Sequence, residues 1–532
     1  MPLCGGMENL MKRFLLILLA LVFALGALVS CNKSGEGTPT NTQEPAAGET
    51  DPVPSDSQGD PAPDEPISDK SAEEIIAELD PSAKTIWPTP NSKEAVLKGA
   101  SKDTVLRAFT DEDFSKVDVT PVDGAKFETV VLRRNFDTVT LYCLAGEVRV
   151  MWERLPKNAL DMLSPTSETG TGSVVVAQIG TERVSETDNP LNGMCYVIKL
   201  SNGRAIIIDG GFNNDSCADN ILAALEKMQI QRSGGKYVVE AWIITHGHSD
   251  HIGGYQKFAS KYSGKITLKN FMSAFPSSES LVVGASKTAE GLSGSRNINP
   301  HAGIKYYFGN AAISMLYTPD LLYSADSAIQ YFNDSSLVFK LEAGGSEVLF
   351  FGDAGEAVAE RMLEVYGSAA FKSDIFQLTH HGLYTAANAG HKWTELKKVY
   401  DAIEADYAFL PMHSRYGTSG RNGRYTVMIE WGSSNFQVSY VVNEKDNHGL
   451  SYVSQQYYDE FVASVANGTN TNATLYGYDG VNKVVNETGL ITYLGGNENS
   501  PMATVFELSG GEAALILNTP FYDWDGGFPS SR

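Results

Sequence analysis

A chain of 532 residues is long enough for more than one domain, and a hydrophobic content of 42% supplies a sizeable core. A formal charge of −23 excludes passive adsorption to nucleic acid or to an anionic membrane, both of which favour basic patches. It leaves room for a catalytic site acting on a phosphate ester, because a bound cation reverses the local field.

In chain order, the first predicted element is a targeting segment. Met11, Lys12 and Arg13 form a charged head, and the apolar run FLLILLALVFALGALV follows. That run is shorter than the ~18–20 residues of a comfortable membrane span. The next residues, LVSC, resemble the lipobox of bacterial lipoproteins, which implies a lipidated Cys31 as the first residue of the mature chain. The alternatives are a plain signal peptide or a short anchor. Each of these places the body outside the cytoplasm, and the lipobox reading adds a lipid anchor in the bacterial cell membrane as its only membrane contact. Residues 32–70 are rich in Pro, Gly, Ser, Thr, Asp and Glu and poor in aliphatic residues. They read as a disordered acidic tether. Cys143, Cys195 and Cys217 remain after Cys4 and Cys31 are set aside. An odd number without metal-type spacing argues against a disulfide framework, with room for one bridge.

Residues 71–170 form a β-rich accessory region. SAEEIIAELD predicts a short helix with Ser71 as N-cap and Glu74 closing a capping box. ETVVLRRN, TVTLYCLAG and VRVMWERL predict strands by their β-branched and aromatic content. From residue 171 to about 445 the pattern is regular. SVVVAQIG, MCYVIKLSNG and RAIIIDGGF read as strands, and ADNILAALEKMQI reads as a helix with Ile221, Leu222, Leu225 and Met228 on one side. Strands and helices continue to DYAFLPMH, which predicts a β-sandwich clad in helices or a layered α/β domain. Residues 446–532 are strand- and turn-rich and read as a C-terminal accessory region.

Chemistry concentrates in the middle of the chain. All nine histidines fall between positions 246 and 448. In THGHSDHIGG, the residues His246, His248, Asp250 and His251 come directly after the buried strand YVVEAWIIT. A histidine pair at i, i+2 leaving a strand can turn both imidazoles to one cation, and the next Asp-His pair can face a second. Imidazole and carboxylate together suit zinc, with manganese or iron also possible.

The pattern His-x-His-x-Asp-His is the signature of the metallo-β-lactamase superfamily, and THGHSDHIGG matches it at every ligand position. The resemblance covers about half of the chain and implies an α+β fold, the αββα sandwich, binding one or two Zn2+ ions, with Mn2+ as an alternative. It implies that Asp209, in IIIDGGF, supports the metal loop. It implies that Asp353, in LFFGDAGE, is the bridging carboxylate, and that His380 or His381, in LTHHG, is the last ligand. A helix N-cap is the other reading of Asp353. The histidine that many members carry on an intervening strand is missing here. That strand end reads ISMLYTPDLL, so Asp320 is a candidate substitute or a plain turn residue, and His301 reads as a loop residue. The order of NDSSLVFKL, FFGDAGE and SDIFQLTHHG resembles the metallo-hydrolase domain of the competence protein ComEC, which implies a phosphodiester substrate.

By this resemblance a cation lowers the pKa of a bound water to about 7 and supplies hydroxide at neutral pH. Asp250 and Asp353 would orient the nucleophile and bridge the cations. Tyr384 and His413, with Arg415 and Tyr416, are candidates to contact a phosphate or protonate a leaving group, or are ordinary surface residues. His391 and His448 read as surface residues. The competing functions are a lactonase or β-lactamase acting on a carbonyl, and a surface binding lipoprotein that keeps the fold without catalysis.

Overall fold

A computed structural model describes residues 70–89, 92–180, 193–276, 290–322, 329, 332–382, 394–413, 425–431, 436–442, 477–478, 483–485, 491–496 and 500–528. All of them belong to one compact unit, Ile67–Arg532. The expected signal peptide with Cys31 and the tether lie outside the described residues. Among those described, no helix is long and apolar enough to cross a membrane.

The chain starts with helix α1 (Ala72–Leu79). The predicted capping box is present: Ser71 Oγ accepts the Glu74 N–H at 3.3 Å, and Glu74 Oε2 accepts the Ser71 N–H at 2.7 Å. Next come β1 (Ile86–Thr89), β2 (Ser92–Lys98), α2 (Lys102–Thr110), β3 (Ser115–Val117), β4 (Glu128–Arg134), β5 (Asp137–Leu144) and β6 (Glu147–Arg154). The strands form an antiparallel sheet in the order β1-β2-β6-β5-β4-β3. The two-residue period of a strand decides its packing. Val139 and Leu141 face the cluster formed with Ile75, Val105 and Phe109. Tyr142, next to Leu141, faces the other way and packs with Leu321, Tyr366 and Phe371 of the body. The accessory β-region therefore has its own core and a second, sandwich-facing side.

The body continues with β7 (Val174–Ile179), β8 (Cys195–Lys199), β9 (Ala205–Asp209), α3 (Asp215–Lys227), β10 (Arg232–Ser233), β11 (Lys236–Ile243), α4 (Ser249–Tyr262), β12 (Ile266–Met272) and β13 (Arg296–Ile298). A second run holds β14 (Lys305–Phe308), β15 (Ala311–Tyr317), β16 (Val338–Ala343), β17 (Ser346–Phe350), α5 (Glu356–Val365), β18 (Ile375–Gln377), α6 (Thr394–Ile403) and β19 (Tyr407–His413). The chain closes with β20 (Tyr425–Trp431), β21 (Phe436–Val442), β22 (Gly477–Tyr478), β23 (Lys483–Val485), β24 (Ile491–Gly496), β25 (Met502–Ser509) and β26 (Glu512–Pro520).

Two sheets stack. One runs β13-β12-β11-β9-β8-β7-β25-β26, with β10 beside β11, and the other runs β14-β15-β16-β17-β18-β19-β24-β23-β22. Their facing sides share one core, with Tyr196, Ile206 and Ile243 from the first sheet and Ile313, Phe339 and Phe350 from the second. Helices α3 and α4 cover the outer face of the first sheet through Ile221, Leu225, Tyr255 and Phe258. Helices α5 and α6 cover the second through Val358, Met362, Val399 and Tyr400. The result is the expected α+β fold, layered αββα. Strands β9, β11, β12 and β13 run parallel, as do β17, β18, β19 and β24. Such strands are covered on both faces, which accounts for the unbroken apolar runs AIII and VLFF.

The expectation of a sandwich ending at residue 445 needs correction. β24 pairs with β19, and β25 pairs with β7 along six residue pairs. Val505 and Phe506 are fully buried in the two faces of the first sheet. A strand-rich tail cannot be assigned to a separate region by pattern, because pairing partners far apart in sequence leave no local signal. Cys143, Cys195 and Cys217 are free thiols.

Candidate metal centre

The candidate site lies where strands of both sheets end. β9 ends at Asp209, which is fully buried and held at φ 53°, a left-handed conformation that costs a non-glycine residue energy. Its carboxylate has three partners. Oδ1 accepts the Thr245 N–H at 2.7 Å, and Oδ2 accepts the Thr245 hydroxyl at 2.8 Å and stands 2.8 Å from His251 Nδ1. Asp209 thus holds the loop after β11 from beneath and fixes the His251 ring. As the sequence implied, it sits behind the imidazoles.

The loop after β11 carries His246 and His248, and α4 begins at Ser249 and carries Asp250 and His251 in its first turn. Backbone meets backbone here. The Gly254 N–H donates to Gly211 O at 2.6 Å, and a Cβ on Gly254 would lie 1.7 Å from Gly210 O. Only glycine allows α4 to press on the turn after β9 in this way.

The second sheet supplies the rest. β17 leads to Asp353 through Gly352, whose φ is +55°. Ser336 Oγ accepts the Asp353 N–H at 3.0 Å. The N-cap reading of Asp353 is overturned: α5 starts at Glu356 with Gly355 as its cap, and the Gly355 N–H donates to Asp334 Oδ1 at 3.1 Å. Asp353 is left to face the histidines. β18 leads to His380 and His381, which take φ of 49° and 55° in succession.

The side chains converge. Asp353 Oδ1 stands 3.1 Å from His251 Nε2 and 3.5 Å from His381 Nε2. His381 Nε2 is 3.2 Å from His251 Nε2 and 3.4 Å from Asp250 Oδ2. Four ligand atoms at 2.0–2.1 Å from one zinc ion have edges of about 3.4 Å. The ligand atoms of Asp250, His251 and His381 lie within 4.8 Å of one another, as do those of His246, His251 and Asp353, so two overlapping sets share His251. Beside them, His246 Nε2 lies 2.9 Å from His248 Nδ1 and 3.7 Å from Asp353 Oδ2. The Phe332 ring lies 4.7 Å from the His248 ring, tilted by 41°.

Two further observations fit a cation here. First, Asp353 Oδ1 is buried and receives no well-directed hydrogen bond, although two imidazole nitrogens stand 3.1 and 3.5 Å from it. Second, the outer nitrogens of those rings are committed. His381 Nδ1 is 2.9 Å from Pro411 O, which can only accept, and His251 Nδ1 faces the Asp209 carboxylate. Both Nε2 atoms therefore turn lone pairs to the carboxylate oxygen. Lone pairs facing a carboxylate repel unless positive charge lies between them. Without a metal ion a proton must serve. Burial disfavours the charged form of both rings, but Asp353 outweighs it, aided by Asp209 at His251 and Asp250 at His381, and holds both pKa values above the usual range. Burial, with His251 beside it, holds His246 well below its usual range, in the neutral form a metal needs.

The sequence left His380 and His381 as alternatives, and the structure separates them. His381 is in the cluster, with its side chain 1% exposed. His380 lies at its edge, 22% exposed, with Nε2 3.3 Å from Asn333 Nδ2. Asp320 is elsewhere. It bonds Tyr142 and His301 and accepts from Thr318, in a buried group between the accessory sheet and the body. His301 lies in the loop between β13 and β14, as the sequence suggested, and is buried in that same group. β19 ends at His413, whose side chain lies, with Tyr384, His391, Arg415, Tyr416 and His448, outside the described residues. Thr245 and Ser336 were missed as positioning residues. The Asn-x-x-Ser run, Asn333 to Ser336, was the available signal for Ser336, whereas Thr245 had none.

Residues 188–267, which contain the histidine cluster, match the Metallo-beta-lactamase superfamily. Among solved structures, Zn(2+)-bound PqqB from Methylobacterium extorquens is similar at 10% identity over 44% of this chain and 88% of that one, with a TM-score of 0.27. The short form of human tRNase Z is similar at 14% identity over 44% and 90%, also with a TM-score of 0.27. Tm1679, a metal-dependent hydrolase of the beta-lactamase superfamily, is similar at 10% identity over 45% and 87%, with a TM-score of 0.26. Such values assign neither substrate nor metal count to this chain. No curated protein matches it.

Proposed function

We propose that the protein is a metal-dependent hydrolase of phosphodiesters, carried outside the cytoplasm and held to the bacterial membrane by a lipid on Cys31. One observation carries the metal reading: a buried carboxylate oxygen without a well-directed hydrogen bond, faced by two imidazole nitrogens at 3.1 and 3.5 Å. His246 and His248 would hold one divalent cation, zinc or manganese. Asp250, His251 and His381 would hold another, and Asp353 would bridge the two. A bound cation there would activate water as the nucleophile and stabilise the charge that develops on the substrate oxygen.

The chain's own residues do the rest. Asp209 and Pro411 O engage Nδ1 of His251 and His381 and so aim both Nε2 atoms inward, where a bound cation would take the place of a proton. Ser336 and Thr245 fix the two loops at their backbones. Asp250 is only partly buried, its side chain 25% exposed, and is placed to accept a hydrogen bond from an attacking water. The phosphodiester class rests on the order of Asn333-x-x-Ser336, Gly352-Asp353 and His380-His381-Gly382, which resembles the ComEC-type domain. The net charge of −23 fits a small or cation-bridged substrate better than a long nucleic acid held without a cation.

The test is turnover of bis(p-nitrophenyl) phosphate by the purified chain with zinc or manganese, beside a chelator control and Asp353→Ala. Chelator-sensitive turnover that the variant loses is the expected result. Absence of turnover with either metal would reject the phosphodiester class and lead to lactones, β-lactams and then ligand binding.

A further inference from the structure

The strand that carries a ligand histidine in many relatives, here ending at Tyr317, offers none. The residues after it, Thr318 and Asp320, bond Tyr142 and His301 on the side of the accessory sheet. The cation assigned to His246 and His248 is therefore short of a side chain, while its partner has Asp250, His251 and His381.

We infer that His380 is the missing ligand, so that two consecutive histidines serve two different cations across one carboxylate. Asp353 divides its oxygens. Oδ1 faces the Nε2 atoms of His251 and His381, at 3.1 and 3.5 Å. Oδ2 faces the Nε2 atoms of His246 and His380, at 3.7 and 3.9 Å. Each oxygen thus has one histidine from the segment that follows β11, His246 on the loop or His251 in the first turn of α4, and one from the turn after β18. Consecutive residues in a strand would point to opposite faces of the sheet, and those in a helix would diverge by about 100°. The left-handed conformation of both His380 and His381 is what lets the two rings flank the same group.

That conformation is unfavourable for any non-glycine residue. The turn is pinned against the loop that carries Asp353. The His380 N–H donates to Gly352 O at 3.0 Å, and the Thr379 hydroxyl donates to Ala354 O at 2.6 Å. Glycine at position 380 would relieve the strain and supply no ring. Beside His380 stands Asn333, whose Oδ1 is buried without a partner while its Nδ2 lies 3.3 Å from His380 Nε2. A half-turn of the amide would bring an oxygen to the same point. An unpaired oxygen and an imidazole nitrogen at one point is donor chemistry suited to a cation.

The inference rests on the two-cation reading above, and its test separates the two. The full chain is loaded with zinc or cobalt(II), freed of excess metal, and its ions per chain are counted by mass spectrometry. His380→Ala and, as a control, His248→Ala are each expected to hold one ion fewer than the native chain. The lost ion should weaken by at least the ~10–100-fold typical of removing a partner behind a ligand. His380→Cys loaded with cobalt is expected to gain thiolate-to-cobalt charge-transfer absorption, which a purely structural role would not produce. The native protein, with its free Cys143, Cys195 and Cys217, is the blank for that band. Circular dichroism checks the fold of each variant, and the Cys variant decides if the Ala variant does not fold. His380→Ala retaining the native ion count, or folded His380→Cys without the new band, overturns the assignment and leaves the hydrolase reading standing. A native chain that binds no metal overturns both.

Discussion

His251 and His381 point their Nε2 atoms at each other across 3.2 Å, while their Nδ1 atoms are tied to Asp209 and to Pro411 O, on opposite sides of the cluster. One ring comes from the first turn of α4 and the other from the turn after β18, so the contact joins the two sheets. A pair held this way is preorganised for a shared cation and poorly satisfied without one.

The Asp209 carboxylate is the support of that arrangement. Asp209→Asn keeps the shape and replaces one acceptor oxygen by an N–H donor. Metal affinity is expected to fall about 10–100-fold, as for other partners behind metal-binding histidines. A zinc titration of native and variant chains against a competing chelator measures it, and equal affinities would remove Asp209 from that role.

Gly254→Ala places a Cβ 1.7 Å from Gly210 O, against backbone that cannot rotate away. The expected loss of stability is on the order of 3 kcal/mol. Urea unfolding of the two chains reads the difference directly. A change below about 1 kcal/mol would show that α4 shifts freely against the turn after β9.

His301 predicts a pH dependence of stability. Burial disfavours its charge, but hydrogen bonds to Asp320 and Glu153 outweigh that and raise its pKa to about 9. The folded value lies above the ordinary 6.5. The stabilisation is therefore complete below pH 6.5 and is lost as pH rises through about 9. It amounts to at most about 3 kcal/mol. Thermal unfolding from pH 6 to 10 should show the decline, and His301→Gln should flatten that part of the curve. A native profile as flat as the variant's would reject the charged pair.

Truncation at residue 499 tests the role of the C-terminal strands. It removes β25 and β26, exposes the edge of β7 and takes Val505, Phe506 and Leu508 out of buried positions. Loss of cooperative unfolding is expected, since the burial of a large apolar side chain contributes roughly 1.5–3 kcal/mol. A truncated chain that melts like the native one would show that the sandwich closes without them.

Much of the site is legible in the sequence because it is local. His246, His248, Asp250 and His251 lie within one loop and one helical turn, and their spacing alone places them on a common centre. Asp209 at the end of β9, and Asp353 and His380 just past the ends of β17 and β18, are marked by apolar runs that stop at a Gly or a polar residue, a signal set by burial on both faces. The α1 cap at Ser71 is local in the same sense.

Other features belong to the tertiary structure alone. The different places of His380 and His381 turn on two left-handed residues and on Pro411 O, which lies 30 positions from His381. Asp320 is taken by Tyr142 and His301 through the packing of the accessory sheet, which no spacing announces. The same holds for the last strands, whose place beside β7 and β19 depends on partners far away in the chain. Neighbouring residues by themselves determine the helix caps, the strand runs and the ligand cluster, so these are written in the sequence. Register between distant strands and the partner of each buried polar atom are decided only when the chain closes, because those energies come from contacts that do not exist until it does.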